Sequence, residues 1–427
     1  MEQFIVHGQN RLSGSIEVRG AKNAAFPILA ASILTDEDTI VENLPLIEDV
    51  YRMLEILESS GALVEWIGER TVKINTKAID PAKIDQEKVQ RFRGSVVLLG
   101  PLLARFQKVY LAQPGGCAIG ARPIDTHLDA FAQLGVTVLP KDEGVELELN
   151  APVAGQNEVI LNEFSVTATA NMLLFGAASD SEIVVKIADY DYQIQDLQKI
   201  LLAMGAEIDT PAFHTIRIRG KKKLHGVRHH LMYDPTEAGT FILFGATVPG
   251  EITVQNVEYS FLDLFFKKLA DFGVPYILTK TSNRLADVRV SPSSALRIDK
   301  IQCFIYPGLH SDLQSPLGVL ATQSKGLTLL HDPLYAGRLK YLEELNKMGA
   351  EIFLTDPHRA IINGPTPLYG TEGLNASDLR GGAALVAAAL LAQGKSSLEN
   401  IYQVDRGYEK IDERLRRLGA DIQRITV

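Results

Sequence analysis

The sequence predicts an α/β protein of two pseudo-symmetric lobes, each with helices inside and sheets outside. The chain has 427 residues, which is long for one hydrophobic core, since such cores stop growing near about 250–300 residues. An amphipathic helix followed by a glycine and a strand recurs six times. A second kind of helix, apolar on all sides, alternates with the first and is typical of a buried element.

The repeats are about 70 residues long, the scale at which internal repetition defines an architecture. Each glycine follows a helix, where a left-handed residue is needed. These glycines are Gly61, Gly135, Gly205, Gly273, Gly349 and Gly419. Each unit reads strand–helix–strand–helix–strand–strand, so three units make one lobe. A solenoid is the competing arrangement, but these units are longer than most solenoid repeats and carry two helix types.

Six segments rich in alanine, glycine and leucine are the predicted buried helices. They span residues 21–34, 94–104, 166–178, 238–247, 313–322 and 379–392. A short strand follows each of them, and small side chains allow these helices to approach one another closely. We therefore expect the buried helices to form the centre of each lobe.

The composition favours a soluble cytoplasmic protein and leaves room for a local basic pocket that binds a small anion. The net charge is −9, from 43 basic and 52 acidic residues, which argues against general nucleic-acid binding. The two cysteines, Cys117 and Cys303, form no disulfide framework and fit a reducing compartment. We expect no signal peptide and no membrane segment, because the longest apolar run is too short to span a bilayer. The sequence leaves the oligomeric state open, a monomer included.

Charged residues cluster where the buried helices begin. They are Lys22, Arg91, Arg93, Asp234, Glu237, Asp312, Asp378 and Arg380. Cations gain nothing from the dipole at a helix start, so Lys22, Arg93 and Arg380 indicate an anionic ligand shared between the lobes. Salt bridges to nearby carboxylates are the alternative. Asp312 is either a base acting on a hydroxyl or a helix cap.

The segment from Gln113 to His127 contains Pro114 and several glycines, which predicts a mobile loop. Cys117 lies in this loop, and Arg122 could lower the pKa of its thiol. We interpret Cys117 as a candidate acid, base or nucleophile, and Cys303 as a core residue. The scattered histidines and the two cysteines show no zinc-ligand spacing, so no zinc site is expected.

Four motifs carry a resemblance that extends from residue 12 to residue 425. They are 20–25 (Gly-Ala-Lys-Asn-Ala-Ala), 115–123 (Gly-Gly-Cys-Ala-Ile-Gly-Ala-Arg-Pro), 378–380 (Asp-Leu-Arg) and 405–409 (Asp-Arg-Gly-Tyr-Glu). In these motifs the sequence resembles the UDP-N-acetylglucosamine 1-carboxyvinyltransferases, a family of enolpyruvyl transferases. The resemblance implies an inside-out α/β barrel, the enolpyruvyl transferase fold. It also implies a first lobe at 22–232 with the Cys117 loop, a second at 1–21 and 233–427, and an active site in the cleft between them.

The family's reaction is the addition of phosphoenolpyruvate to the 3-hydroxyl of UDP-N-acetylglucosamine, followed by loss of phosphate from a tetrahedral ketal. This is the first committed step of peptidoglycan synthesis, and so of cell wall biogenesis, cell shape and cell division. The resemblance implies no metal or organic cofactor. The expected partners are the two small-molecule substrates, with no nucleic acid and no membrane. Because Cys117 is retained, alkylation by fosfomycin is implied as well.

The resemblance also implies roles for individual residues. Cys117 matches the general acid, and Asp312 matches the base at the sugar hydroxyl. Lys22, Arg122 and Arg406 match the cations that hold phosphoenolpyruvate, with Lys22 and Arg406 also acting in catalysis. The residues that match contacts to the UDP-sugar are Asn23, Arg93, Arg122, Pro123, Ile124, Asp125, Ser165, Val166, Thr167, Asp312 and Leu334. Arg338, Asp378 and Arg380 match residues that support the site.

The acceptor side departs from the family's usual residues. The departures include Glu163, Thr167, Asp191, Gln193, Pro235, Ala336 and Gly337. An enolpyruvyl transferase for a different nucleotide or sugar nucleotide is therefore an alternative. A shikimate 3-phosphate acceptor is disfavoured by the Cys117 loop. A non-catalytic paralogue is the third possibility, against which the joint retention of Cys117, Asp312, Lys22 and Arg406 argues.

Overall fold

A computed structural model describes residues 2–115, 119–120, 123–151, 153, 155–221 and 223–426. The helices within these ranges are α1 Lys22–Ala31, α2 Glu48–Ser59, α3 Gln86–Gln90, α4 Leu99–Phe106, α5 Asp125–Gln133, α6 Val166–Ala177, α7 Tyr192–Ala203, α8 Pro235–Thr247, α9 Asp263–Asp271, α10 Gln314–Ala321, α11 Tyr341–Lys347, α12 Leu379–Leu391, α13 Tyr402–Asp405 and α14 Ile411–Arg417.

The strands lie between these helices. They are β1 Glu2–His7, β2 Leu12–Glu17, β3 Thr39–Glu42, β4 Leu63–Gly68, β5 Thr71–Asn75, β6 Lys108–Ala112, β7 Thr137–Lys141, β8 Gly144–Glu148, β9 Gln156–Ile160, β10 Glu182–Lys186, β11 Glu207–Ala212, β12 Thr215–Arg219, β13 Arg228–His230, β14 Gly250–Glu258, β15 Tyr276–Lys280, β16 Leu285–Val290, β17 Lys300–Gln302, β18 Gly326–His331, β19 Glu351–Asp356, β20 Arg359–Gly364, β21 Leu374–Asn375, β22 Lys395–Glu399 and β23 Asp421–Thr426.

The chain divides into two compact units. The unit that we call the C-terminal unit comprises Met1–Arg19, Cys117–Ala121 and Tyr233–Val427, and the N-terminal unit comprises Gly20–Gly116 and Arg122–Met232. The C-terminal unit contains the sheets β21-β22-β1-β23, β15-β16-β14-β2 and β17-β18-β20-β19. The N-terminal unit contains β11-β12-β10-β9, β13-β3-β5-β4 and the shorter sheet β6-β8-β7.

Two strands are exchanged between repeats. β2 precedes α1 in the chain, yet it pairs in parallel with β14, with Leu12 opposite Gly250. β13 precedes α8 and pairs in parallel with β3, with Arg228 opposite Ile40. Since each strand joins the sheet of the other repeat, the chain passes from one unit to the other near Gly20 and again near Tyr233.

The predicted buried helices are confirmed. All residues of α8 are buried, and α6 and α12 are buried along almost their whole length. Since Gly239 has no side chain, Leu313 packs directly against α8. The glycines that mark the repeats all have positive φ, as their positions after helices predicted.

The second repeat differs from the expected pattern. The predicted helix at 94–104 begins as a 3₁₀ turn over Arg93–Leu98 and becomes α-helical only from Leu99. The sheet β6-β8-β7 also has no parallel leading strand in the described residues. The preceding segment forms a 3₁₀ turn and α3 instead, because the side chains of Asp80 and Asp85 accept hydrogen bonds from the first free backbone N–H groups.

Replacing Gly318 by alanine should destabilise the protein by about 1–3 kcal/mol, the usual cost of an extra methyl in a filled core. A Cβ at this position in α10 would lie 2.0 Å from the hydroxyl oxygen of Tyr341, which is fully buried. Urea unfolding measures the effect. The double variant Gly318→Ala/Tyr341→Phe should recover part of the loss, and unchanged stability in Gly318→Ala would contradict this packing.

Candidate active site

In the C-terminal unit, three of the predicted site residues lie around the largely buried carboxylate of a fourth, Asp312. Nη2 of Arg338 donates to Oδ1 of Asp312 at 2.8 Å, and Nε of Arg380 donates to Oδ2 at 3.0 Å. Nη1 of Arg338 also lies 3.6 Å from Oδ1 of Asp378. We call these four residues the Asp312 cluster.

The helix-cap interpretation of Asp312 is wrong. The cap of the 3₁₀ turn that precedes α10 is His310, whose Nδ1 accepts from the backbone N–H of Asp312 at 3.1 Å. The neighbouring buried helices are capped by aspartates, Asp234 for α8 and Asp378 for α12. The Asp312 side chain is therefore directed to arginines rather than to helix N–H groups.

Two buried carboxyl groups of this unit have pKa values shifted in opposite directions. Burial by itself would raise the pKa of Asp312, but Arg380 and Arg338 outweigh burial and hold that pKa well below its usual range. Burial raises the pKa of Asp234, and Arg380 offsets only part of this effect. Carboxyl groups with separated pKa values are typical of catalytic sites, although structural ion pairs produce them too.

Several polar atoms of the Asp312 cluster have no hydrogen-bond partner in the described part of the chain. They are Nε of Arg338, Nη1 of Arg380 and Oδ2 of Asp378. Leaving a buried donor or acceptor unsatisfied costs about 1–3 kcal/mol. These atoms are therefore suited to receive water or the polar groups of a bound ligand.

Arg380 is also held by an aromatic ring. Its guanidinium carbon lies 5.1 Å from the centre of the Tyr408 ring, and the Tyr408 hydroxyl shares a 3.0 Å hydrogen bond with Thr240. Sequence reasoning placed Tyr408 in a motif but gave it no role. The only available signal was its position two residues after Arg406.

The remaining predicted residues of the C-terminal unit lie in two further places. Nη1 of Arg406 donates to Oε1 of Gln403 at 3.1 Å. The backbone N–H of Leu334 donates to Oδ1 of Asp332 at 3.0 Å, and Oδ2 of Asp332 accepts from Ser311 beside Asp312.

The departures Ala336 and Gly337 lie in a turn next to Arg338. The N–H of Gly337 donates to the carbonyl of Ile119 at 2.9 Å, so this turn holds a described part of the loop predicted to be mobile. Cys117 and Arg122, the loop residues with the strongest predicted roles, lie outside the described residues.

In the N-terminal unit, Lys22 forms a buried ion pair. Its Nζ lies 2.7 Å from Oδ2 of Asp49, and each side chain is only 7% exposed. In this structure Lys22 therefore forms the salt bridge to a nearby carboxylate that the sequence analysis gave as the alternative to an anionic ligand. Sequence reasoning missed Asp49, although an acidic residue in the first turn of α2 was a visible signal.

Asn23 lies beside a residue of the third repeat. Its Nδ2 donates to the hydroxyl oxygen of Tyr192 over a long 3.4 Å. Tyr192 opens α7, and Asp191 caps that helix by accepting from the N–H of Tyr192 at 2.7 Å. Nε2 of Gln193 donates to the other oxygen of Asp191 at 3.3 Å, so two of the departures from the family pattern contact each other.

The other departures in this unit join the starts of α5 and α6. Oγ1 of Thr126 donates to Oε1 of Glu163 at 3.2 Å, and Nε2 of His127 lies 3.0 Å from Oγ1 of Thr167. Nδ1 of His127 lies 2.9 Å from Nδ2 of Asn171, an amide that can only donate. Nδ1 is therefore the acceptor, and Nε2 carries the proton towards Thr167.

The other predicted UDP-sugar residues of this unit lie at the same helix starts. Pro123 and Ile124 precede α5, which begins at Asp125, and Nη2 of Arg93 donates to the carbonyl of Pro123 at 3.0 Å. A second set begins α6, where Ser165 is the cap and Val166 the first residue. The structure thus brings these two segments of the N-terminal unit together.

Replacing His127 by glutamine should make the protein less sensitive to acid. Burial, with the charge of Arg93 nearby, lowers the pKa of His127 to about 3. An unfolded histidine takes up a proton near pH 6.5, so acidification between these values favours unfolding. From pH 7 to pH 5 the wild type should lose about 2 kcal/mol through this group, and the variant should not. Urea unfolding at both pH values measures this difference, and equal losses would contradict it.

Within the described ranges, no group of three or more histidine, cysteine, aspartate or glutamate residues is arranged to hold a metal ion. No helix in the same ranges is both long enough and apolar enough to cross a membrane.

Comparisons with known proteins place this geometry in context. The family described as EPSP synthase (3-phosphoshikimate 1-carboxyvinyltransferase) matches residues 6–415. A UDP-N-acetylglucosamine 1-carboxyvinyltransferase of Koribacter versatilis is 37% identical, covering 100% of this chain and 97% of that protein. A UDP-N-acetylglucosamine 1-carboxyvinyltransferase of Bradyrhizobium diazoefficiens is 38% identical, covering 99% of this chain and 98% of that protein. The crystal structure of the enolpyruvyl transferase NikO from Streptomyces tendae matches with a TM-score of 0.89 and 26% identity, covering 100% of this chain and 99% of that one.

Proposed function

The chain belongs to the EPSP synthase family of carboxyvinyltransferases, and we propose that it transfers the enolpyruvyl group of phosphoenolpyruvate to the 3-hydroxyl of UDP-N-acetylglucosamine. Phosphate is the second product. The reaction is the first committed step of peptidoglycan synthesis and takes place in the cytoplasm. Both substrates are small molecules.

Full-length similarity supports the choice of acceptor. Relatives that are 37% and 38% identical over nearly the whole chain carry the name UDP-N-acetylglucosamine 1-carboxyvinyltransferase. The single structural observation that carries the proposal is the Asp312 cluster, where a buried carboxylate contacts two arginines at 2.8 and 3.0 Å. The two arginines are balanced by the carboxylates of Asp312 and Asp378, and the polar atoms of the cluster that lack a partner within the described residues are suited to bind a polar substrate group such as a hydroxyl.

Each residue has a proposed part in addition and elimination. Cys117 gives a proton to the methylene carbon of phosphoenolpyruvate while the acceptor oxygen attacks the neighbouring carbon. Lys22, Arg122 and Arg406 bind the phosphate and carboxylate, and their fixed charges stabilise the transition state. Asp312 contacts the hydroxyl that adds. Elimination then returns the methyl proton to Cys117 and releases phosphate.

A different nucleotide acceptor is the second candidate function. The observation that favours it is the negative charge that Glu163 and Asp191 add to the segments predicted to contact the acceptor. Both carboxylates are held in place, Glu163 by Thr126 and Asp191 by the N–H of Tyr192. A fixed negative charge disfavours a diphosphate close to it.

Phosphate release from phosphoenolpyruvate tests the proposal. Purified protein is assayed with UDP-N-acetylglucosamine, with other uridine nucleotides, and without an acceptor. Release that requires UDP-N-acetylglucosamine and is abolished by fosfomycin supports the proposed function. Release with another nucleotide alone would select the second candidate, and no release with any acceptor would overturn both.

A further inference from the structure

We propose that Asp312 remains ionised throughout the reaction and serves as a fixed hydrogen-bond acceptor for the acceptor hydroxyl, with Arg338 and Arg380 as the positioning residues that keep it so. This inference rests on the proposed function and refines it. It takes the role of proton acceptor away from Asp312, for which the family resemblance implied the role of base.

The hydrogen-bond geometry carries the first step of the argument. Each oxygen of Asp312 faces a different guanidinium group, at 2.8 Å from Arg338 and 3.0 Å from Arg380. A proton on either oxygen would remove the negative charge that both guanidinium groups bind, and arginine cannot compensate by giving up a proton of its own. Each oxygen still has a lone pair for a substrate hydroxyl, so accepting a hydrogen bond stays possible.

The burial of the two arginines carries the second step. The side chains of Arg338 and Arg380 are 5% and 1% exposed, and that of Asp312 is 13% exposed. Neutralising Asp312 would leave two buried cations with less compensation, and a buried charge without its partner is strongly destabilising. A general base must accept a proton in the transition state, and this site resists that change.

The other charged groups around Asp312 do not outweigh the two arginines that keep it ionised. Asp378 opposes the negative charge of Asp312, but its Oδ1 is engaged by the N–H groups of Arg380 and Gly381 at the start of α12. From α8, Asp234 faces Arg380, and burial raises the pKa of Asp234, which reduces its ionisation.

The remaining neighbours are His310, Asp332, Cys303 and Tyr408. Nδ1 of His310 accepts from the backbone N–H of Asp312, and Asp332 is bonded to Ser311 and to the N–H of Leu334. Burial raises the pKa values of Cys303 and Tyr408, so both side chains stay neutral near Asp312.

The proton of the acceptor hydroxyl then needs another destination. The hydroxyl oxygen forms a bond to C2 of phosphoenolpyruvate, and C3 takes a proton from Cys117. The hydroxyl proton passes to a phosphoryl oxygen of phosphoenolpyruvate. A phosphate monoester has a second pKa of about 6, so it accepts a proton more readily than a carboxylate held by two arginines. The C2–O bond to phosphate later breaks, phosphate leaves with that proton, and C3 returns its proton to Cys117.

The ionisation state can be measured without turnover. In protein labelled with ¹³C at the aspartate carboxyl carbons, the Asp312 signal is identified by its absence from Asp312→Asn. We expect the chemical shift of an ionised carboxylate with no titration step above pH 4, both in the free protein and with phosphoenolpyruvate bound. A titration step above pH 4 would overturn the inference, whether or not the proposed acceptor is correct.

Kinetics with Arg338→Gln separate positioning from a merely structural role. We expect the Asp312 titration to move above pH 4 and the single-turnover rate at pH 8 to fall at least tenfold, with a new acidic limb in the pH profile. If Asp312 were the base, weakening its contacts would make it a stronger base and preserve or raise that rate. An equal loss at every pH with no shift of the titration would mean that Arg338 is only structural and would also overturn the inference.

Arg284→Gln is the matched control. Arg284 belongs to the same unit and donates to a buried carboxylate, that of Glu258, at 3.0 Å. Its removal should leave the Asp312 titration and the single-turnover rate unchanged within twofold. A change comparable to that in Arg338→Gln would overturn the positioning role, because loss of any arginine contact to a buried carboxylate of this unit would then explain it.

Discussion

Replacing Cys117 by serine should reduce enolpyruvyl transfer by a factor of about 100 to 10,000, the usual contribution of a positioned acid or base. The thiol of cysteine has an ordinary pKa of about 8.5, so it can both donate a proton to carbon and accept it back during elimination. A serine hydroxyl is far less acidic and cannot alternate in this way near neutral pH. The rate of phosphate release in the presence of UDP-N-acetylglucosamine measures the effect.

Cys303→Ala provides the matched control. Cys303 is fully buried, and burial, with Asp332 nearby, raises the pKa of its thiol well above the usual value, which makes it unreactive. This variant should keep its turnover and its inactivation by fosfomycin, whereas Cys117→Ser should lose both. Mass spectrometry should find the fosfomycin adduct on Cys117. Near-wild-type turnover in Cys117→Ser would remove the residue from the acid role.

Replacing Asp312 by alanine should abolish measurable turnover, with a loss of at least about 1,000-fold, and should also destabilise the C-terminal unit. The substitution removes the contact to the acceptor hydroxyl and leaves Arg338 and Arg380 without the carboxylate that both of them bind. Breaking a buried ion pair on one side costs about 3–5 kcal/mol. Steady-state kinetics and urea unfolding of the same preparation measure the two effects.

Glu258→Gln distinguishes the catalytic loss from the loss of stability. Glu258 is a buried carboxylate of the same unit and receives a hydrogen bond from Arg284. This variant should also lose stability, but it should retain turnover. If Asp312→Ala remained folded and active, the assignment of the Asp312 cluster to the active site would be wrong. If Glu258→Gln lost activity to the same extent, destabilisation alone would account for both results.

Much of the fold could be predicted because its determinants are local. Apolar side chains on every face of 166–178, 238–247 and 379–392 require burial wherever these helices lie. The glycines after the amphipathic helices fix where each repeat turns. The second repeat could not be predicted in the same way, because the caps Asp80 and Asp85 favour a 3₁₀ turn and a short helix at a position where the other repeats suggested a strand.

The residue types at the site could also be identified, but their partners could not. Lys22, Asp312 and Arg380 stand out because charged residues at the start of apolar helices need an explanation. Asp49 and Tyr408 stayed unassigned, because their sequence signals, an acidic residue in the first turn of α2 and a tyrosine close to Arg406, do not identify Lys22 or Arg380 as the partner. Asp312 had two interpretations, base and cap, that spacing by itself did not separate.

The sequence by itself determined the repeats, the buried helices and the charged residues at their starts, because these depend on residues close together in the chain. Only the tertiary structure decided that β2 and β13 are exchanged between repeats, that His310 is the cap, and that Asp312 binds both Arg338 and Arg380. Hydrogen bonds and ion pairs act over about 3–4 Å. Residues 26 and 68 positions apart in the chain reach such distances only after the C-terminal unit has folded.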